Sequence, residues 1–269
     1  MSDIFSSIAS LREFDELARR QTVIHQQHSV AKLLTTLSFL LVIASFDRYD
    51  LFRLFPLFLY PTLIFIWSDT PLQPILKRLL LVEPFIIGIG ILNPLLDREA
   101  VLFGGFSVSR GWITFFAILL KGALTVTAAL LLISTTGMNR LAGAMRTIRI
   151  PKLFVLVIFL TFRYISVLGE ELSRSLRAYA LRAPTHRGVR LHAWGSLVGQ
   201  ILLRTFDRAD RVYQAMTLRG FSGEYPIGIG QRFRWSDLVW MLAWISFFVL
   251  CRVVDIPVAI GSLLNGVIS

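Results

Sequence analysis

The sequence predicts an all-α polytopic membrane protein with about five transmembrane helices and a cytoplasmic coupling domain of long amphipathic helices. Hydrophobic residues make up 55% of the 269 residues, which exceeds the share in ordinary soluble domains. Five apolar stretches approach the roughly 20 residues that a membrane span needs. The 28 lysines and arginines outnumber 17 acidic residues, and most of them lie in one long segment before the last stretch.

The five apolar stretches differ in length and in proline content. The second and third contain Pro56, Pro61, Pro84 and Pro94, so kinked or broken helices are expected there. A further apolar run at 153–160 continues into charged residues, and we interpret it as the buried start of a long helix and not as a span. The five predicted spans are roughly 31–46, 51–67, 79–97, 112–137 and 235–254.

The positions of the basic residues predict the topology. With the N-terminus in the cytoplasm, 22 of the 28 lysines and arginines lie on the inner side, 16 of them within 138–234. This asymmetry follows the positive-inside rule. The predicted domains are therefore 1–137 (an N-terminal segment and four spans), 138–234 (a cytoplasmic helical coupling domain) and 235–269 (the last span and a tail).

Two parts of the cytoplasmic segment have the periodicity of amphipathic helices. Apolar residues recur at steps of three and four in 163–183 and again in 191–220, which places them on one helix face. At 1.5 Å per residue, 153–183 and 191–220 are each about 45 Å long. Two such helices joined by a short turn predict an antiparallel or crossed hairpin.

Each of these two helices ends at an arginine followed by a small residue. Pro184 cannot continue a helix, so the first ends near Ala183, and Gly220 suits a left-handed residue just past the second. Arg182 and Arg219 could be simple capping cations, because a helix C-terminus favours positive charge. Arginine can also clamp carbonyls or carboxylates of another protein. The coincidence of two matched ends favours a partner.

Several short segments of the chain form a recognisable set. Those in its second half are Arg163-Tyr164, Glu170-Glu171, 178–183 and 208–221. Those upstream are Leu92-Asn93-Pro94-Leu95, Ser109-Arg110-Gly111-Trp112 and Arg149-Ile150-Pro151. Together they resemble the T component of energy-coupling factor (ECF) transporters, most closely the cobalt type, CbiQ. The similarity covers nearly the whole chain and is most specific in 163–223.

The resemblance implies a coupling (permease) subunit of an ECF-type ABC importer in a prokaryotic cytoplasmic membrane. Such a subunit transmits ATP-driven motion from two ATPase subunits to a separate substrate-binding membrane subunit. The implied cargo is cobalt or nickel, ATP is bound by the partners, and this chain holds no cofactor or metal and has no catalytic residues. The family's two coupling motifs are often Ala-Arg-Gly. They map here onto Ala180, Leu181, Arg182 and Ala183, and onto Leu218, Arg219 and Gly220.

Two alternatives come from other functional classes. An integral membrane enzyme acting on phosphorylated lipids would need clustered acids or a nucleophile–base pair, and neither converges in this sequence. A membrane-tethered nucleic-acid binder would explain the basic segment, but the positive-inside rule already does. The chain has no P-loop motif, and we expect no nucleic-acid partner.

Overall fold

The computed structural model describes residues 16–97, 100–103, 106–182, 190–223 and 233–254. Within these ranges the chain is helical apart from one short antiparallel strand pair, so the predicted all-α class is confirmed. The helical elements are α1 Val23–Gln26, α2 Ser29–Ser45, a 3₁₀ segment Phe52–Phe58, α3 Leu59–Ser68, α4 Leu72–Gly90, α5 Leu92–Leu96, α6 Arg110–Thr136, α7 Met138–Thr147, α8 Lys152–Arg182, α9 Leu191–Leu218 and α10 Trp235–Val253. The strands are β1 Ala100–Phe103 and β2 Phe106–Ser109, paired from Ala100 with Ser109 to Phe103 with Phe106.

The described residues fall into two compact units. The span unit contains α1 to α6, the two strands and α10. The long-helix unit contains α7, α8 and α9, together with residues 16–17. The predicted three-part division at 137/138 and 234/235 remains a prediction, because those boundaries concern where the membrane begins and ends.

Within the described residues, four helical segments are long and apolar enough to cross a membrane. They are α4 with α5, α6, α8 and α10, while α2 and the segment 52–68, both predicted as spans, are apolar but shorter. The apolar start of α8 was predicted not to be a span, yet this helix has the length and composition of one. The predicted polytopic membrane class is therefore confirmed. The third predicted span begins earlier than expected, since α4 starts at Leu72 and includes Lys77 and Arg78. Proline in a first helical turn lacks only an N–H that would be unpaired anyway, so Pro74 permits this early start.

The start of α8 is less buried than predicted. Val155 and Leu156 are buried, but Leu153, Phe154 and Val157 are more than half exposed. The helix runs without a break from this apolar half into its charged half. One face of the start therefore offers an apolar surface that lipid or another protein must cover.

The predicted helix breaks occur at two of the four prolines. Pro56 lies inside the 3₁₀ segment, and a break at Ile91 separates α4 from the short helix that contains Pro94. No break occurs at Pro84, which lies inside α4, or at Pro61, which lies in the first turn of α3.

The region around the break at Ile91 packs tightly against α6. A Cβ atom added at Gly111 would lie 2.5 Å from the carbonyl oxygen of Asn93 and 2.7 Å from that of Asp97. Glycine is therefore required at this contact.

The core of the span unit is built on aromatic side chains. The rings of Phe39, Tyr60, Trp244 and Phe248 all lie within 5.7 Å of at least two others of the group. The hydroxyl of Thr36 lies 2.9 Å from that of Tyr60, so the buried phenol is hydrogen-bonded. Offset and edge-to-face aromatic pairs add to the packing energy of such a core.

Two lysines neutralise helix C-termini inside the span unit. Buried Lys32 donates from Nζ to the carbonyl of Thr135 at 2.9 Å, near the end of α6. Lys121 donates to the carbonyls of Phe46 and Asp47 at 2.6 and 3.1 Å, just after α2. Cations are favoured at these negative helix ends, so both lysines hold neighbouring helices together.

Candidate functional site: two helix ends and the cavities between α8 and α9

The C-terminal end of α9 is closed by a Schellman motif. Gly220 has φ 79° and donates to the carbonyl of Thr217 at 2.9 Å, while Phe221 donates to that of Met216 at 3.0 Å. These are the two hydrogen bonds that define the motif, with Gly220 in the left-handed conformation that glycine adopts most readily. The predicted conformation of Gly220 is confirmed. The motif fixes the backbone of Arg219 at the helix end.

The two predicted motif ends share an unusual exposure. Leu181 is 83% exposed and Leu218 is 89% exposed, and each precedes an exposed arginine. The guanidinium groups of Arg182 and Arg219 form no hydrogen bond or ion pair with the described residues. Each helix thus ends in an uncovered leucine–arginine pair. Ala180 directly precedes Leu181 and is half-buried, and Ala183 lies outside the described residues.

Helices α8 and α9 run antiparallel within the long-helix unit. Phe221, just past the end of α9, packs against the buried cluster that contains Val155 and Leu156 near the start of α8. The ends that carry Arg182 and Arg219 therefore lie at opposite ends of the helix pair. The 26 residues of α8 between Leu156 and Arg182 span about 39 Å at 1.5 Å per residue. The two arginines are placed to contact two different sites.

An ion-pair cluster joins the middle of α8 to α9. One oxygen of Glu171 lies 3.3 Å from Arg204 and the other lies 3.5 Å from Arg208. The Glu171 side chain is only 13% exposed, so these pairs are better shielded from water than surface pairs are. Glu170 and Arg174 form a looser pair at 4.0 Å within α8. The cluster fixes how the two helices align.

Two cavities lie on either side of this cluster, each of about 470 Å³. The first is almost entirely apolar and lies towards the Arg219 end, between the first half of α8 and the second half of α9. The second is polar and lies towards the Arg182 end. Its lining residues are Glu171, Arg174, Ser175, Ala178, Tyr179, Arg182, Ser196, Leu197, Gln200 and Arg204.

The apolar stripe predicted on α9 remains largely uncovered. Val198, Leu202, Phe206 and Tyr213 are each more than half exposed. Basic side chains lie on other faces of the same helix, including the exposed Arg211. An exposed apolar surface of this extent is typical of a site that lipid or another protein covers.

Comparison with known proteins decides the family. The family described as "CbiQ: Cobalt transport protein" matches residues 20–227. This chain belongs to the CbiQ family. The match includes both helix ends with Arg182 and Arg219.

Two relatives of this CbiQ-family chain align with part of its length. A nickel permease, LarQ, of Lactiplantibacillus plantarum is 31% identical over 119 residues, which cover 42% of this chain and 43% of the relative. An uncharacterized protein of Methanocaldococcus jannaschii is 24% identical over 187 residues, covering 65% of this chain and 64% of the relative. This chain therefore aligns with less than two thirds of the length of either relative.

The polar cavity was not predicted from the sequence. Its α8 residues recur at helical spacing from Glu171 through Arg174 and Ala178 to Arg182, and its α9 residues do so from Ser196 through Gln200 to Arg204. This spacing was visible as a polar stripe on each helix. Only the apolar stripes were used to predict the packing. The described residues bring together no group of three histidine, cysteine or acidic side chains that could hold a metal ion.

Proposed function

We propose that this CbiQ-family chain is the transmembrane coupling subunit of an ECF-type importer. The observation that carries the proposal is the pair of exposed leucine–arginine ends, Leu181-Arg182 and Leu218-Arg219, at opposite ends of an antiparallel helix pair. Each arginine offers five hydrogen-bond donors in a planar fork that can bind carboxylates or backbone carbonyls. Each exposed leucine adds an apolar contact beside it.

The separation of the two ends supports one ATPase subunit at each end. An ATPase subunit that binds near Arg182 would leave the Arg219 end, about 39 Å away along α8, free for a second subunit. The residues that would contact the ATPases are Ala180 to Ala183 and Leu218 to Gly220. ATP is bound by those subunits, and this chain contributes neither a cofactor nor a catalytic residue.

The uncovered apolar surfaces support a contact with a separate substrate-binding membrane subunit. Two exposed surfaces are too apolar to face water. They are the α9 stripe of Val198, Leu202 and Phe206 and the start of α8. Movement of the two helix ends by the ATPases would pass through α8 and α9 to that subunit. Because the helices are continuous over 31 and 28 residues, they can act as rigid levers.

The proposed cargo is a cobalt or nickel ion, carried by the substrate-binding subunit. Support for this choice comes from the family description and from the relative named as a nickel permease. The proposed location is a prokaryotic cytoplasmic membrane with the N-terminus and the long-helix unit inside, as the distribution of basic residues predicts.

The proposal is tested by co-purification with the two ATPase subunits after co-expression and detergent extraction. We expect a stable wild-type complex, weaker complexes for Arg182→Glu and Arg219→Glu, and no complex for the double variant. Reversing a charge replaces attraction by repulsion at each contact, so the double variant loses both sites. The amount of ATPase retained per membrane subunit is the measured quantity.

Arg211→Glu is the matched control, since Arg211 is exposed and lies on α9 two turns before Arg219. It should retain the ATPases at wild-type levels. All variants should elute as a single peak in size-exclusion chromatography, which shows that they remain folded. If the double variant retains the ATPases as well as the wild type does, the arginines are helix caps only and the proposed coupling mechanism is wrong.

A further inference from the structure

The apolar cavity between α8 and α9 is a groove that suits a helix. Its lining residues recur at helical spacing along both helices, so one face of each forms a wall. Leu153 and Tyr213 line the cavity and are 69% and 63% exposed, which leaves it open to its surroundings. Apolar grooves of this kind bind the apolar face of an amphipathic helix. The walls include Leu156, Leu160, Tyr164, Ala209, Val212 and Met216.

The first residues of the chain have the sequence pattern of such a helix. Residues 1–15 precede the described part of the chain. Within them Ile4, Ile8, Leu11 and Phe14 recur at steps of four, three and three, which places the four side chains on one face of a helix. Serines between these positions give the segment a polar side.

The length of this segment and the point where it joins the described chain also suit the cavity. As a helix, 4–14 is about 15 Å long, and the α8 wall from Leu153 to Leu168 is about 22 Å long. Leu17 is 5% exposed and belongs to the long-helix unit, whereas Ala18 belongs to the span unit. The residues before Leu17 therefore join the chain at the unit that contains the cavity.

Charge favours this occupant and disfavours a position of the segment on the membrane surface. Residues 1–17 contain four acidic side chains and one basic, whereas 138–234 contain 16 basic and five acidic. Arg208 lines the cavity itself. Helices that lie on a membrane surface are rich in lysine and arginine, because the lipid surface is anionic. An acidic segment is repelled by that surface and attracted to the basic long-helix unit.

We infer that residues 4–14 dock as an amphipathic helix in the apolar cavity, with their acidic neighbours towards the arginines of the long-helix unit. Ile8 lies near the middle of the segment, and Ala209 lies near the middle of the α9 wall. The two residues therefore meet whichever way the helix runs. The inference does not depend on the coupling proposal, since it concerns the chain without its partners.

The first test is disulfide formation in the purified full-length chain, held in nanodiscs that contain phosphatidylglycerol. Cys251→Ala removes the one native cysteine. Ile8→Cys is combined with Ala209→Cys in the cavity or with Gln214→Cys, which is exposed on the same helix outside the lining. We expect oxidation to join most of the first pair and little of the second, because a disulfide needs Cα atoms within about 7 Å.

The second test keeps Ile8 and measures how fast a water-soluble maleimide labels Ala209→Cys. Adding Ile8→Asp/Leu11→Asp should speed this labelling roughly tenfold or more, because a charge on the apolar face opposes burial. Ser6→Asp/Ser10→Asp is the matched control, since it adds the same charge to the polar side, and it should leave the labelling rate unchanged. Gln214→Cys should be labelled at one rate in all three backgrounds.

Three results would overturn the inference. Equal disulfide yields for Ala209→Cys and Gln214→Cys would show that the segment does not dock in the cavity. An Ala209→Cys labelling rate that Ile8→Asp/Leu11→Asp leaves unchanged would show that this segment does not cover the cavity. Quenching of a fluorophore on Ile8→Cys by nitroxide-labelled lipid would place the segment on the membrane surface instead.

Discussion

The two units of this chain bury their apolar residues in different ways. In the span unit, helices interlock around a closed aromatic cluster that includes Phe39 and Phe248, both fully buried. In the long-helix unit, the buried cluster consists of Ala142, Val155 and Leu156 with a few partly buried neighbours. The ion pairs of Glu171 join α8 to α9, Leu176 and Leu197 on these two helices are buried, and an apolar stripe of α9 stays uncovered.

This difference shows which unit has a closed core without a partner. The close packing of the span unit gives it internal stability, because each buried side chain gains dispersion contacts on all sides. The long-helix unit has a smaller buried cluster, and its exposed stripe is a surface for lipid or a partner to cover. Elements with few buried contacts are the ones that move at low energetic cost, which suits a unit that passes motion between partners.

The largest predicted effect comes from emptying the aromatic core. Phe248→Ala removes a fully buried ring that contacts Phe39, Tyr60 and Trp244, and we expect a loss of about 3–5 kcal/mol in unfolding free energy. Phe206→Ala removes a ring that is 61% exposed in the long-helix unit. It should change stability by less than about 0.5 kcal/mol. Unfolding of the purified chain by denaturant in mixed micelles measures both.

The comparison fails if Phe206→Ala destabilises the isolated chain as much as Phe248→Ala does. Co-purification with partner subunits tests the contrast between the two units further. If a substrate-binding subunit covers the stripe, Phe206→Ala should weaken that complex while leaving the free chain unchanged. Phe248→Ala should lower the stability of the free chain and of the complex alike.

A smaller effect tests how closely the helices approach. Gly111→Ala places a methyl group 2.5–2.7 Å from backbone atoms of Asn93, Pro94 and Asp97, and backbone cannot yield as a side-chain tip can. We expect a loss of about 1–3 kcal/mol, measured as a lower midpoint of thermal unfolding.

The matched controls are glycines of helices whose added Cβ would meet no atom within 4 Å, Gly88 in the span unit and Gly195 in the long-helix unit. Alanine there should be neutral or stabilising by up to about 1 kcal/mol, because alanine favours the helix. A Gly195→Ala variant as damaged as Gly111→Ala would show that the long-helix unit is packed as tightly as the span unit. That outcome would remove the distinction between them.

The features that could be predicted from the sequence are those set by local chemistry. Gly220 lies where a helix must end with a left-handed residue, and the structure has φ 79° there. The start of α4 was predicted seven residues late, because Lys77 and Arg78 were assigned to a loop on charge alone. Long basic side chains lie readily along a helix near a membrane surface, so their charge does not end it.

The polar cavity could not be predicted because it depends on the alignment of α8 with α9. Glu171 and Arg204 are separated by 33 residues, and the periodicity of each helix gives its faces but not how far one helix slides along the other. The apolar stripes left that alignment open, since neither is fully buried in the pair. The functional roles of Arg182 and Arg219 stay predictions that the co-purification experiment decides.

The smallest predicted effect concerns the ion pairs between α8 and α9. Glu171→Gln removes the carboxylate shared by Arg204 and Arg208. We expect a loss of about 1 kcal/mol in unfolding free energy, at the upper end for exposed ion pairs, because the Glu171 side chain is only 13% exposed. Glu170→Gln breaks the exposed pair with Arg174 at 4.0 Å, which should cost roughly 0.3–0.5 kcal/mol. Hydrogen exchange of the α8 and α9 amides measures the local loss of stability in each variant. Faster exchange in Glu171→Gln, confined to these two helices, would show that shielded charge holds this unit together. If both variants exchange at the wild-type rate, apolar contacts alone hold α8 to α9, and the contrast with the span unit is one of degree.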